Sequence, residues 1–176
     1  MDQIIKGRLE QLKTAIKAMR LGRYRGRVKP HKPILLIAVL DLMDAGHISE
    51  NRVYFDDRLC SRFERLFCAV AKDRDWCQPA PPFFHLRSSG FWFHKPRPGR
   101  QASYAELETS GGYSKRIVDN IAYGFFDPDT YSVVMDREAR KRLRDYVLST
   151  FFDSGEQDRL LQVLNQSNLA QPGARE

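Results

Sequence analysis

Apolar residues at Ile5, Leu9, Leu12, Ile16 and Met19 recur at alternating spacings of four and three, which puts them on one stripe and predicts a helix over about residues 2–20. Gly22 ends it, and the Arg/Gly-rich stretch to Lys29 reads as a polar loop. The run Pro33-Ile34-Leu35-Leu36-Ile37-Ala38-Val39-Leu40 continues to Gly46 and is apolar nearly all round, so it predicts a central buried helix with Pro33 in its first turn and Gly46 at C′. Ile48 to Phe55 alternates loosely, as a short strand does. Asp56 or Asp57 then caps a helix whose inner face is Leu59, Phe63, Leu66, Phe67 and Val70.

From Asp73 to Pro82 the pattern is that of a loop. Two aromatic runs, Phe83-Phe84-His85-Leu86 and Phe91-Trp92-Phe93-His94, flank the polar Arg87-Ser88-Ser89-Gly90 and predict a β-hairpin with its aromatics in the core. Short helices are expected at about 101–109 and, after Gly111-Gly112, at 113–121, with another starting at Asp127-Pro128. Asp136 should cap a last strong helix to about Thr150, with Leu143, Tyr146 and Val147 inward and Arg137, Arg140, Lys141, Arg142 and Arg144 mostly outward. The pattern thus predicts a helix-dominant α+β fold, five or six helices around a small antiparallel sheet or hairpin, in an order similar to winged-helix DNA readers. One recognition domain is expected over residues 2–152, with 153–176 a weakly helical tail or linker.

The 176-residue chain is 42% hydrophobic and 29% charged, within the range of ordinary globular domains. No apolar run approaches the roughly 20 residues of a membrane span, and no signal segment is visible, so a cytoplasmic, membrane-free protein is expected. Cys60, Cys68 and Cys77 form no CxxC pair, and Cys60 and Cys68 read as small buried hydrophobes. The net charge of +7 is informative once located. Residues 1–33 hold ten Lys or Arg against Asp2 and Glu10, a balance of +8, whereas residues 34–151 balance at +1 and residues 152–176 at −2. Charge concentrated beside glycines, as in Arg20-Leu-Gly-Arg-Tyr-Arg-Gly-Arg-Val-Lys29, suits a polyanion such as a phosphate backbone.

Catalytic signatures are missing. His31, His47, His85 and His94 fall in no zinc spacing, and no phosphate-binding loop is present, so neither a metal site nor a cofactor is expected. The carboxylate pairs Asp127/Asp129 and Glu106/Glu108 are better explained as helix-start residues than as nuclease ligands. Two constellations remain. Pro30-His31-Lys32-Pro33 leaves a histidine and a lysine at a helix N-terminus, where anions are attracted, although His31 could simply cap the helix. Pro79-Ala-Pro-Pro-Phe-Phe-His85 forms a rigid, proline-walled segment before a polar tip.

KPHKPILLIAVLDLMDAGHISENRVYFDD and PFFHLRSSGFWFHKPRPG, taken together over about residues 2–152, resemble the sulfur-binding domain of phosphorothioate-dependent type IV restriction endonucleases, which precedes an HNH nuclease domain. The resemblance implies binding of double-stranded DNA in which sulfur replaces one non-bridging phosphate oxygen, without catalysis by this chain. It implies a sulfur pocket of His31, Lys32, Pro81, Pro82 and His85. Pro81 stands where the family has an aromatic residue, and His85 where it has a small one. Arg23, Arg25, Arg27 and Lys29, with Arg97, Arg100 and Lys115 as secondary candidates, would hold the DNA backbone, and Arg87, Ser88 and Ser89 would read bases. Three other readings stay open: a winged-helix regulator of unmodified DNA, a nuclease with unrecognised metal ligands, and a binder of RNA or an acidic protein.

Overall fold

The computed structural model describes residues 1–72, 75–109 and 114–169. Helix α1 (Gln3–Lys17) begins where Asp2 accepts a hydrogen bond from the Ile5 amide, and buries Leu9, Leu12 and Ile16 along the expected stripe. The Arg/Gly stretch is not a plain loop. It forms a two-strand hairpin, β1 (Arg23–Tyr24) against β2 (Arg27–Val28). Both turn residues, Arg25 (φ 49) and Gly26 (φ 80), are left-handed, as a two-residue hairpin turn of this hand requires.

Helix α2 (His31–Asp44) is central, with every residue from Lys32 to Met43 buried. It packs against α3 (Asp57–Val70), capped by Asp56, and against α8 (Arg137–Phe151), capped by Asp136. Arg140 departs from its expected outward position. It is buried, donates from Nε to Asp44 at the end of α2 (2.6 Å), and donates to the Val134 carbonyl (2.6 Å). Its aliphatic stem can cover core while its charge is paired, and Arg144 completes the clamp on Asp44 at 2.6 Å. Helix α7 (Pro128–Met135), capped by Asp127, packs on α1 and α8.

The expected hairpin at 83–94 is replaced. Phe83, Phe84 and His85 belong to helix α4 (Ala80–His85), because prolines without N–H groups suit a first helical turn, and a 3₁₀ turn over Leu86–Ser89 follows. The second aromatic run does form a strand, β3 (Trp92–Pro96), but its antiparallel partner is β4 (Ile121–Phe126), with Trp92 opposite Phe126 and His94 opposite Gly124. The strand expected at Ile48–Phe55 shrinks to one bridge, Val53 to Gly124. Asn51 extends that edge with its side chain, exchanging two hydrogen bonds with the Phe126 backbone (2.8 and 2.9 Å).

Short helices α5 (Gln101–Ala105) and α6 (Ser114–Asn120) occupy the expected places, whereas Gly111-Gly112 lie outside the described residues. Helix α9 (Ser154–Leu169) packs on α3 and buries Leu160 and Leu164; residues 170–176 lie outside the described residues. Nine α-helices are present among the described residues, more than expected because several are a single turn or two. Cys60 is half-buried and Cys68 exposed rather than buried, and Cys77 is exposed too; partial desolvation pushes the Cys60 and Cys77 thiols up to about 11.

Gly124 faces the fully buried Trp92, and a Cβ there would lie 2.2 Å from an indole carbon. Gly124→Ala is therefore expected to destabilise the fold by about 2–3 kcal/mol, read as a lower urea midpoint.

Candidate nucleic-acid interface

Three chain segments converge on one cleft of about 720 Å³. The first is Arg20-Leu21-Gly22 with Lys29, the two feet of the β1–β2 hairpin. The second is His31-Lys32 at the start of α2. The third runs from Trp76 and Gln78 through Pro81, Pro82, His85 and Ser88. All five expected pocket residues, His31, Lys32, Pro81, Pro82 and His85, line this space, and Lys29 and Ser88 join them.

His31 is fixed from two sides. Its Nε2 is 2.9 Å from the Trp76 carbonyl, and its ring meets Phe67 edge-on at 4.7 Å. A carbonyl only accepts, so Nε2 carries the proton and Nδ1 is bare in the neutral ring. Burial pushes His31 below its ordinary 6.5, opposed by the Trp76 carbonyl and Asp75. Lys32 is buried at the cleft floor, where its Nζ donates to Ser88 Oγ (3.2 Å) and Ser88 Oγ donates in turn to the His85 carbonyl (2.9 Å). Burial first, then Arg20, lowers Lys32 from its ordinary 10.5. His85 is also lowered, by burial and then by Lys32 and Arg87. At neutral pH the cleft thus pairs uncharged imidazoles and proline rings with Lys32 at its floor and a positive rim of Arg20 and Lys29. The first hydrogen bond at this end of α2 runs from the Ile34 amide to the Pro30 carbonyl (2.9 Å), so the terminus points its dipole at the same space.

The other expected DNA contacts divide. Arg23 and Arg25 are exposed on the hairpin that rises from the rim. Arg27 is occupied: its guanidinium pairs with Asp75 and donates to the Val70 carbonyl (3.3 Å), holding the hairpin to the end of α3. Arg97 donates from Nε to the Val118 carbonyl (2.6 Å), while Arg100 and Lys115 are exposed near α5 and α6; none of these three lines the cleft. Arg87 lies 4.3 Å above the Phe84 ring and within 3.5 Å of Tyr104 Oη. Tyr104 reaches Nδ1 of buried His94 (3.0 Å), whose Nε2 meets the Phe83 carbonyl (3.0 Å). Ser89 is half-buried and its Oγ has no hydrogen-bond partner among the described residues. Arg20, Leu21 and Gly22 belong to the basic segment expected to meet a phosphate backbone, without being assigned to the pocket; Trp76 and Gln78 lie outside the sequence expectations, with an aromatic in a polar loop as the one signal, and Trp76 is 71% exposed. Among the described residues no group of His, Cys, Asp or Glu could hold a metal ion.

A family model described as "ScoMcrA-like, DNA sulfur-binding domain" matches residues 9–167. A solved sulfur-binding domain of SprMcrA, complexed with phosphorothioated DNA, is similar in fold at a TM-score of 0.63 and 13% identity, over 93% of this chain and 98% of that one. No curated protein matches.

Burial pushes His94 from 6.5 down to about 4. Protonation therefore opposes folding: the stability that neutral His94 confers is intact above about pH 6.5 and is lost as pH falls towards 4, by about 3 kcal/mol. Urea unfolding across this range should show that slope in the unaltered protein and a flatter one in His94→Gln.

Proposed function

Because the chain belongs to the ScoMcrA-like DNA sulfur-binding domain family, matched over residues 9–167, we infer that it binds double-stranded DNA carrying a phosphorothioate and lodges the sulfur in the cleft at the start of α2. The observation that carries this reading is the meeting of His31, Lys32, Pro81, Pro82 and His85 around one space beneath a cationic rim.

Sulfur is larger, more polarisable and more weakly hydrated than oxygen. A wall of proline ring and imidazole accepts it at little desolvation cost, while Lys32 and the α2 terminus favour the negative charge of the thiophosphate. An ordinary phosphate oxygen against Pro82 would lose its water and gain no donor, a penalty of about 1–3 kcal/mol. Discrimination against unmodified DNA follows from that penalty. Affinity in this reading comes from Arg23, Arg25 and Lys29 on neighbouring phosphates, and base preference from Arg87 with Ser88 and Ser89 in the major groove. The stacked, hydrogen-bonded setting of Arg87 supports a fixed guanidinium rather than a mobile one.

The recognition unit is proposed to act without catalysis in a modification-dependent restriction system of the cytoplasm, with cleavage assigned to an HNH nuclease domain in a longer protein. The burial of Leu160 and Leu164 supports including α9 in the unit. Among the described residues, no helix is long and apolar enough to cross a membrane.

Gel shifts of two short duplexes, identical but for one phosphorothioate, should show a preference for sulfur of about tenfold or more in the unaltered protein. Pro82→Ala and His31→Ala should shrink that preference while leaving most of the weak binding to the oxygen duplex. One phosphorus diastereomer should bind better than the other, since a pocket fixed beside the duplex admits sulfur from one direction; equal binding of both contradicts this reading.

A further inference from the structure

The outer face of the β3–β4 sheet carries a second constellation, separate from the cleft. Lys95 stands opposite Tyr123 and Phe93 opposite Phe125 in the strand register, and the Val53–Gly124 bridge sets Arg52 and Tyr54 alongside β4. Side chains alternate across a sheet, so with Val53, Trp92, His94 and Gly124 buried inward, Phe93, Lys95, Tyr123, Phe125, Arg52 and Tyr54 share the opposite side. The aromatics touch in a continuous chain: Phe93 to Phe125 at 5.8 Å, Phe125 to Tyr123 at 6.2 Å and Tyr123 to Tyr54 at 6.0 Å. Arg52 lies 5.4 Å over Tyr123, and Lys95 is exposed with no ion pair among the described residues. Phe93 is 41% exposed and Tyr54 51%.

We propose that this face is a second nucleic-acid site that takes unpaired bases of a single DNA strand. Rings laid along a sheet offer π-faces to any base that is not enclosed in a duplex, and rows two residues apart along a strand are spaced roughly 7 Å. Cations at both ends of the tile suit the phosphates between those bases. The six positions include neither a carboxylate nor an aliphatic side chain; Glu50 pairs with Arg52 from the edge at 3.6 Å. A face for a cationic partner would carry carboxylates, whereas exposed Lys95 beside the rings favours an anionic strand; aromatic residues with arginine also occur at protein interfaces, so self-association is one outcome of the test. Helix α4 stands between this tile and the sulfur cleft: Phe83 contacts Trp92 and His94 beneath the sheet, while Pro82 and His85 line the cleft. The two sites can therefore be altered separately, and the proposal does not depend on sulfur recognition.

The test is fluorescence anisotropy with a labelled oligothymidylate about fifteen nucleotides long, a length within the ordinary span of one binding domain. The variants are Tyr54→Ala alone and Tyr54→Ala with Phe93→Ala. The double variant should weaken strand binding about tenfold or more, the single variant by less, with binding of the phosphorothioate duplex unchanged. Photo-crosslinking of a 5-bromouracil strand to the unaltered protein should label Tyr54 or Phe93, a readout that needs no folded variant. Absence of strand binding, equal binding by both variants, or crosslinks on the hairpin or cleft would overturn the proposal. So would sedimentation showing self-association that the double variant abolishes without any strand binding, which would assign the face to a second copy of this chain. Failure of the unaltered protein to prefer sulfur in a duplex would count against the cleft reading alone.

Discussion

Burial of α2 on all sides is the constraint from which the rest follows. From Lys32 to Met43 the helix has no exposed face, so it can neither slide nor rotate without opening the core. Helices α3 and α8 enclose it, and Arg140 and Arg144 pin its far end through Asp44. Its N-terminus opens onto the cleft, where His31 is half-buried, and Pro30 and Pro33 bracket it with restricted backbone. His31 and Lys32 are therefore presented to the cleft by a rigid support, which is what a pocket that distinguishes two atoms of similar charge needs.

The opposite wall is built by a different device. Trp92 fills the space left by Gly124 and donates to the Phe83 carbonyl (3.1 Å), so β3 and α4 lock together around buried rings. Pro82 and His85 are carried on the outer side of that block. The sheet has two faces with separate tasks: the inner one supports the cleft wall, and the outer one carries an aromatic and cationic tile that the core does not use. Charge divides in a similar way. Arg27, although part of the basic segment, anchors the hairpin through Asp75, while Arg23 and Arg25 stay exposed.

Local signals were legible in the sequence and non-local ones were not. The stripe of α1, the apolar run of α2 and the caps Asp56, Asp127 and Asp136 depend on neighbouring residues, and each stands where the pattern puts it. The hairpin at 83–94 was misplaced because two aromatic runs either side of a Gly-ended turn mimic a hairpin, whereas the partner of Trp92 is Phe126, chosen by core packing. An Arg-Gly turn is a weaker hairpin signal than Asn-Gly, so β1 and β2 read as loop. The family resemblance brought His31 and Pro82 together ahead of any fold. Trp76 and Gln78 escaped because a loop delivers them to the cleft, whereas Arg20 was legible as part of the basic segment and only its place beside the pocket was not. The outer tile becomes visible only when β3, β4 and Val53 are assembled in register.

In the proposed division of labour, the cleft discriminates sulfur from oxygen and the cationic rim supplies affinity. The direct measurement is the ratio of dissociation constants for oxygen and phosphorothioate duplexes across a salt series from about 50 to 300 mM. Both affinities should fall steeply as counterion release loses its drive, while their ratio holds within about twofold. A ratio that collapses towards one as salt rises would mean that sulfur is sensed through the charge of the rim, and that the cleft does not discriminate on its own.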